Sequence, residues 1–303
     1  MPYNYLIDER IRESFKIDMA NCIIIFDEGH NLPPSQEEIN SFEIKCKSLQ
    51  MCLTELRSLQ EVFEFNKKKE QHSTVEGIQR LKEFTQNFHD YLKNFDLNPL
   101  QNPDAIVVQD RKYLPPSSLV LPGRAIFKIF EQGTQQDELS KTGDVVGTNL
   151  KESYYEHVKP AFDDALMDIA DMGTEKQITY LEGWAATVQK VMDLWSSGDA
   201  RKEVSDADDF YVFLYDEEDK DKYRQQKFKP KGKKASTSMV DDNLRVLGFW
   251  CFNAGVGFKK LEKLQPRSLI ITSGTLSPMQ SFEAELAVKF KHQVENPHVI
   301  DPK

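Results

Sequence analysis

The chain has 303 residues, with 39 Lys and Arg against 49 Asp and Glu, a formal net charge of −10. An 11% aromatic and 39% hydrophobic content excludes a wholly disordered chain, and the acidic balance argues against non-specific coating of nucleic acid, though not against a local basic groove. No apolar run approaches the roughly 18–20 residues of a membrane-spanning helix, and the length suggests about two domains.

At the N-terminus, Asp8, Glu9, Arg10 and Arg12 precede any apolar stretch, which is not the pattern of a secretory leader. Cys22-Ile23-Ile24-Ile25-Phe26 then forms a continuous apolar run, ended by Asp27-Glu28-Gly29-His30. Such a run predicts a strand buried on both faces, as in a parallel α/β sheet. Helical periodicity follows. Cys46, Leu49, Leu53, Leu56 and Phe63 form one stripe. Ser73-x-x-Glu76 reads as a capping box ahead of Ile78, Leu81, Phe84, Phe88, Leu92 and Phe95. Residues 98–123, rich in Pro and Asn, read as an irregular connection with one short strand. Tyr155, Val158, Phe162, Leu166 and Ile169 give a further stripe, kinked or restarted at Pro160 and stopped near Gly173. Ile178, Leu181, Trp184, Val188, Met192 and Trp195 give the clearest one. Aromatics at this spacing serve helix packing.

Phe210–Tyr215 and Leu244–Phe252 read as an antiparallel strand pair joined by a charged loop, 216–243. Asp216 to Asp221 is nearly all acid, while Lys222 to Lys234 holds seven bases and no acid. Within the basic run, Lys222, Arg224, Lys227, Lys229 and Lys231 interleave with Tyr223 and Phe228, a composition able to grip single-stranded DNA by charge and stacking. The other reading is a solvated loop neutralised by its acid block. Gly255-Val-Gly257 reads as a turn. Ser268-Leu269-Ile270-Ile271-Thr272 is a second buried strand, ended by Ser273-Gly274-Thr275, and a helix capped by Ser281 should follow. The four cysteines, at 22, 46, 52 and 251, form no CxxC pair and read as buried small hydrophobes in a reducing compartment. No His pair stands at i,i+4, so a histidine metal site is not expected.

A strand ending in Asp-Glu is suited to nucleotide hydrolysis: Asp27 can hold Mg²⁺ and Glu28 can polarise water. Acids after strands also serve as helix caps, so the pair alone is weak, but the extension to Asp-Glu-small-His is far more specific. Ser-Gly-Thr after a strand presents hydroxyls and free N–H groups at a sheet edge. The two apolar runs should be neighbours in one parallel sheet, bringing Glu28 and Ser273 together.

PYNYLID, IIIFDEGHNL, FWCFNAG, RSLIITSGTLSPMQSFEAEL and ENPHVID together resemble the XPD-like iron–sulfur DNA helicases of superfamily two. The resemblance is strong over about residues 2–43 and 244–301; the middle matches only in its helical character. It implies ATP- and Mg²⁺-driven 5′→3′ translocation on single-stranded or branched DNA, in the nucleus, for DNA repair, recombination and telomere upkeep. It also implies a RecA-like sheet with a large helical arch insertion. By that resemblance Asp27 and Glu28 are the metal-binding and water-activating acids, His30 the coupling histidine, and Ser273, Gly274 and Thr275 the motif that links hydrolysis to DNA movement. Tyr3, Asn4 and Tyr5 match a segment that follows the family's iron–sulfur domain. The expected organisation is a first motor part at 1–43, an arch at 44–243, and a return to the motor at 244–303.

The departures from the family are as informative. Gly29 stands where Ala is usual. No G-x-x-x-x-G-K-[ST] occurs, so the phosphate cradle is missing. The [4Fe–4S] cysteines and the second motor domain have no counterpart in these residues. The expectation is a partial helicase, inactive as an ATPase on its own. The alternative is a motor-less arch protein that binds DNA or partners, and a weaker third reading is a pseudogene product.

Overall fold

The computed structural model describes residues 1–65, 73–108, 115, 117–134, 150–171, 179–196, 209–217 and 244–296. Contacts divide the chain into two compact units: Met1–Ser41 with Cys251–Lys303, and Phe42–Trp250.

The first unit carries two short helices, α1 (Asn4–Ile7) and α2 (Glu9–Ser14), then β1 (Ile23–Phe26), a 3₁₀ turn (Gly29–Asn31) and α3 (Leu32–Asn40). It resumes after the second unit with a helix (Gly255–Lys263), a strand (Ser268–Ile271) and a final helix (Met279–Leu286). β1 and the strand Ser268–Ile271 pair in parallel, with Ile24 opposite Leu269 and Phe26 opposite Ile271. Side chains alternate across a strand, so Ile24 and Phe26 enter a core with Leu32, Phe258, Phe282 and Leu286.

The other face of this ribbon corrects an expectation. Ile23 and Ile25 are 58% and 62% exposed, and Ile270 is 42% exposed. The strands are therefore buried on one face only, because among the described residues the helices of this unit pack on a single side. Parallel sheets are ordinarily covered on both.

The second unit is larger. Its strands β2 (Phe42–Lys45), β3 (Leu119–Pro122), β4 (Phe210–Asp216) and β5 (Arg245–Cys251) form a sheet in the order β2-β5-β4-β3. β2 runs antiparallel to β5 and β3 antiparallel to β4. The end of β4 meets the start of β5, where Glu217 N–H donates to the Leu244 carbonyl at 2.9 Å. Its long helices are α4 (Cys46–Phe65), α5 (Val75–Lys93), α6 (Ala125–Thr134), α8 (Lys159–Asp171) and α9 (Thr179–Ser196), with a one-turn α7 (Leu150–Ser153). The remaining helices of the first unit are α10 (Gly255–Lys263) and α11 (Met279–Leu286), and its second strand is β6 (Ser268–Ile271).

The apolar stripes of α5 and α9 meet in an aromatic cluster. Trp184 lies 5.2 Å from Phe88 and 6.1 Å from Phe130 by ring centroids, and its indole N–H donates to Thr85 at 3.1 Å. A buried indole requires such a partner. Phe210 stacks on Phe249 at 4.6 Å, and Trp250 stacks on Phe213 at 4.3 Å within the sheet layer.

Several local expectations shift. Thr74, not Ser73, caps α5, accepting from Gly77 N–H at 2.9 Å; Ser73 is held instead through its N–H by Asp168, and Glu76 pairs forward with Arg80. α8 follows directly on a π-helical segment (Tyr154–Val158), so Pro160 falls where the regular i→i−4 ladder is already interrupted. α11 opens at Met279, two residues before Ser281, whose N–H already bonds the Pro278 carbonyl. Gly255 and Gly257 are not a turn but the first turn of α10; a Cβ on Gly257 would overlap the buried Gln36 carboxamide, so glycine permits close packing there. Cys22 is exposed, just ahead of the strand rather than within it, while Cys46, Cys52 and Cys251 are buried. Burial pushes the Cys46 thiol up to about 12, so it stays protonated and inert. Gly173, Ile178 and the charged segment 218–243 lie outside the described residues, as do the side chains of Phe63 and Trp195. No helix among the described residues is long and apolar enough to cross a membrane.

Candidate active site

The parallel register sets the site. Phe26 stands opposite Ile271, so the next residues, Asp27 and Thr272, leave the ribbon side by side although they are 245 positions apart. Thr272 N–H donates to the Phe26 carbonyl and Gly29 N–H to the Thr272 carbonyl, both at 2.8 Å. These bonds continue the ladder past the strand ends and fasten the two loops together. The fit at Gly29 is close: a Cβ there would overlap the Ile271 Cγ2 methyl.

Glu28 takes the left-handed conformation, φ 52 and ψ 47. A non-glycine residue held there costs about 1–3 kcal/mol and is characteristic of functional loops. The turn lets the chain leave the strand at once, so Asp27, Glu28 and His30 converge on one edge.

Asp27 Oδ1 accepts from the Thr272 hydroxyl at 2.9 Å and from Glu28 N–H at 3.0 Å. The Tyr3 hydroxyl donates to the Asp27 carbonyl, and the Tyr3 ring meets Phe26 edge-on at 5.7 Å. Burial, then the nearby Asp27 and Glu28 charges, raise the Tyr3 phenol above its ordinary range. That keeps it a neutral donor.

Ser273 joins the two loops. Its hydroxyl lies 3.3 Å from Glu28 Oε2 and 2.9 Å from His30 Nδ1, and His30 Nδ1 is itself 3.3 Å from Glu28 Oε2. A hydroxyl has one proton. If Ser273 donates to the Glu28 carboxylate, His30 must donate to Ser273, which fixes the Nδ1–H tautomer. Thr275 N–H also donates to Ser273 Oγ, at 3.3 Å, so the turn after β6 supports the same oxygen. Gly274 makes no comparable contact; a Cβ there would meet nothing within 4 Å.

Of the residues named from sequence, Asp27, Glu28, His30, Ser273 and Thr275 thus stand together, and Gly274 contributes only the turn. Thr272 was not singled out, although its place one residue past the apolar run already set it opposite Asp27 in a parallel pair. Lys222, Arg224, Lys227, Lys229 and Lys231 lie outside the described residues.

The donor set fits a hard cation in part. Asp27 Oδ2 accepts no bond among the described residues, and the surrounding ligands are oxygen. No group of three or more His, Cys, Asp or Glu able to enclose a metal occurs among the described residues. Mg²⁺ held by one carboxylate and completed by water and phosphate needs no such cage.

The family model DEAD_2 matches residues 1–49, the segment that carries Asp27, Glu28 and His30. The chain is similar over 99% of its length to proteins described as "Regulator of telomere elongation helicase 1 homolog". Identity is 28% over 307 residues with that of Culex quinquefasciatus, 28% over 306 with that of Aedes aegypti, and 29% over 315 with that of Drosophila melanogaster. It spans 29%, 28% and 29% of these relatives, respectively. A solved structure titled "XPD_Helicase" aligns with 95% of the chain and 33% of its own, at a TM-score of 0.40 and 14% identity. The chain resembles the XPD-like helicases.

Proposed function

We propose that the chain is part of an ATP-dependent DNA helicase acting in genome maintenance in the nucleus, with the first unit as part of a RecA-like motor and the second as its arch. The supporting observation is Ser273, which reaches Glu28 and His30 at once across a parallel strand pair. In this reading Asp27 would hold Mg²⁺, with Thr272 orienting its carboxylate. The ion, when bound, neutralises phosphate charge. Glu28 polarises the attacking water. His30 and Ser273 form a hydrogen-bonded link through which a change at Glu28 reaches the loop after β6. DNA repair, recombination and telomere upkeep, and 5′→3′ movement on single-stranded or branched DNA, follow from the family likeness.

The residues fit the metal but not the whole nucleotide. Phosphate affinity in such motors comes largely from a glycine-rich loop and its lysine, and no G-x-x-x-x-G-K-[ST] occurs in the sequence. The 303-residue polypeptide alone is therefore expected to hydrolyse no ATP above background, with or without single-stranded DNA. A Glu28-dependent ATPase in that polypeptide would overturn this part. A second reading, an arch-type module that binds DNA or partners, draws on the second unit, which has a sheet and core of its own.

Titration with Mn²⁺, followed by paramagnetic broadening of NMR signals from residues 27–31, tests the metal site. Broadening that Asp27→Asn abolishes is expected. Equal broadening in that variant, or none in either, would remove Asp27 from the metal-binding role.

A further inference from the structure

The left-handed backbone of Glu28 is maintained by whatever holds the peptides on either side of it. φ and ψ are the rotations between the two planar peptide units that flank a residue, so fixing both planes fixes the residue. The plane after Glu28 is held twice. The Glu28 carbonyl accepts from Asn31 N–H at 3.0 Å and from the Asn31 side-chain amide at 3.3 Å. Both bonds come from within the 3₁₀ turn that follows.

The plane before Glu28 is held from farther away. Glu28 N–H donates to Asp27 Oδ1 at 3.0 Å, a bond between neighbours that travels with the loop. The carbonyl of the same peptide, that of Asp27, accepts from the Tyr3 hydroxyl, 24 positions earlier in the chain. Tyr3 is anchored outside the loop. Its backbone carbonyl accepts from Leu6 N–H at 2.9 Å and Ile7 N–H at 3.0 Å at the start of α1. Its ring lies edge-on to Phe26 and packs on the core that contains Ile24 and Leu32. The hydroxyl is thus presented from a fixed body.

We propose that Tyr3 is a positioning residue: its hydroxyl holds the peptide between Asp27 and Glu28 in the orientation that puts Glu28 in the left-handed region and turns its carboxylate toward Ser273 and His30. The other bonds at this edge act on different atoms. The Thr272 hydroxyl reaches the Asp27 side chain, and Gly29 N–H reaches the Thr272 carbonyl. A residue with a Cβ leaves the left-handed region when nothing holds it there, because the Cβ crowds the backbone. The catalytic meaning of this clamp rests on the reading of Glu28 as the water-polarising acid; the clamp itself does not.

Tyr3→Phe on the full chain tests it, because the ring stays against Phe26 and only the hydroxyl is lost. The readout is the Cα and Cβ chemical shifts and the N–H to Hα coupling of Glu28, which report its backbone conformation. Loss of one hydrogen bond should raise the population outside the left-handed region about fivefold, with the His30 and Ser273 signals moving in step. Tyr5→Phe, on the same segment with its ring on Phe15 at 5.1 Å, should leave Glu28 unchanged. In a Glu28→Gly background the left-handed backbone carries no Cβ penalty, so there Tyr3→Phe should leave the signals of residues 29–31 in place.

An unmoved Glu28 in Tyr3→Phe, an equal change in Tyr5→Phe, or an effect that persists in the Glu28→Gly background would overturn the proposal. The Mn²⁺ titration of the unmodified chain keeps it distinct from the metal site. Broadening there, with Glu28 unmoved in Tyr3→Phe, sinks the clamp and leaves the metal role of Asp27 standing. A moved Glu28 without broadening does the reverse.

Discussion

The two units solve the burial problem differently. In the second, five long helices and a four-stranded sheet close on themselves, and Phe88, Phe130, Phe162, Phe210 and Phe249 are all but removed from water. In the first, a two-stranded parallel ribbon buries Ile24 and Phe26 but leaves Ile23, Ile25 and Ile270 on an open face. Yet the first unit carries the candidate chemistry. The difference shows that the site depends on strand register and loop hydrogen bonds rather than on a large core.

Substitutions should separate these two kinds of structure. The largest effect is expected from Phe88→Ala, which empties the centre of the aromatic cluster; truncating a buried Phe costs about 3–5 kcal/mol, readable as a shift in the urea midpoint. Mn²⁺ broadening at residues 27–31 should survive it wherever the chain remains folded. A retained cluster with no loss of stability would contradict the packing described.

Next comes Gly29→Ala, which forces a Cβ against the Ile271 methyl and should cost about 1–3 kcal/mol by overpacking. Ile271→Leu removes that β-branched methyl, so the double variant should recover most of the loss. Failure to recover would mean that the close approach is not what limits residue 29.

Glu55 offers a pH-dependent contrast confined to the second unit. Its carboxylate accepts from Leu181 N–H at 2.8 Å and from Tyr180 N–H at 3.4 Å at the start of α9. Burial raises its pKa above the ordinary 4.5, although the two N–H bonds pull the other way. The folded unit therefore favours the protonated form more than the unfolded chain does. Its contribution is fully present below pH 4.5 and is lost as pH rises through the raised value. Glu55→Gln should flatten that slope in chemical-denaturation curves collected between pH 4 and 7. An unchanged slope would place the dependence elsewhere.

The smallest effect belongs to Ile25→Thr, on the open face of β1. Surface substitutions usually fall within about 0.5 kcal/mol. A loss of several times that would mean that Ile25 is covered in solution.

Much of the frame was legible. The two apolar runs announced strands, and the expected parallel pairing is present with Ser273 beside Glu28. The helical stripes of α5 and α9 were readable because Leu81, Phe88, Trp184 and Val188 recur at the helix period. Other features were not legible for physical reasons. β2 is only four residues long and runs straight into α4, so its alternation is too short to register. The exposed face of β1 was misread because a continuous Ile run looks the same whether one face or two are covered. Capping by Thr74 rather than Ser73 turned on a tertiary contact, Asp168 with the Ser73 N–H, that no local motif contains. The role of Thr272 needed the register, which is a property of two strands and not of either one.

The pairing of β2 with β5 ties the two ends of the second unit together. Phe42, where the second unit begins, lies directly opposite Phe249, near where it ends. The unit thus starts and ends on two strands paired with each other. Loop-closure cost grows only logarithmically with length, about 0.6 kcal/mol per doubling. Changes in loop length between β2 and β5 therefore cost little, because the pairing of Phe42 with Phe249 already holds the two ends of the unit together.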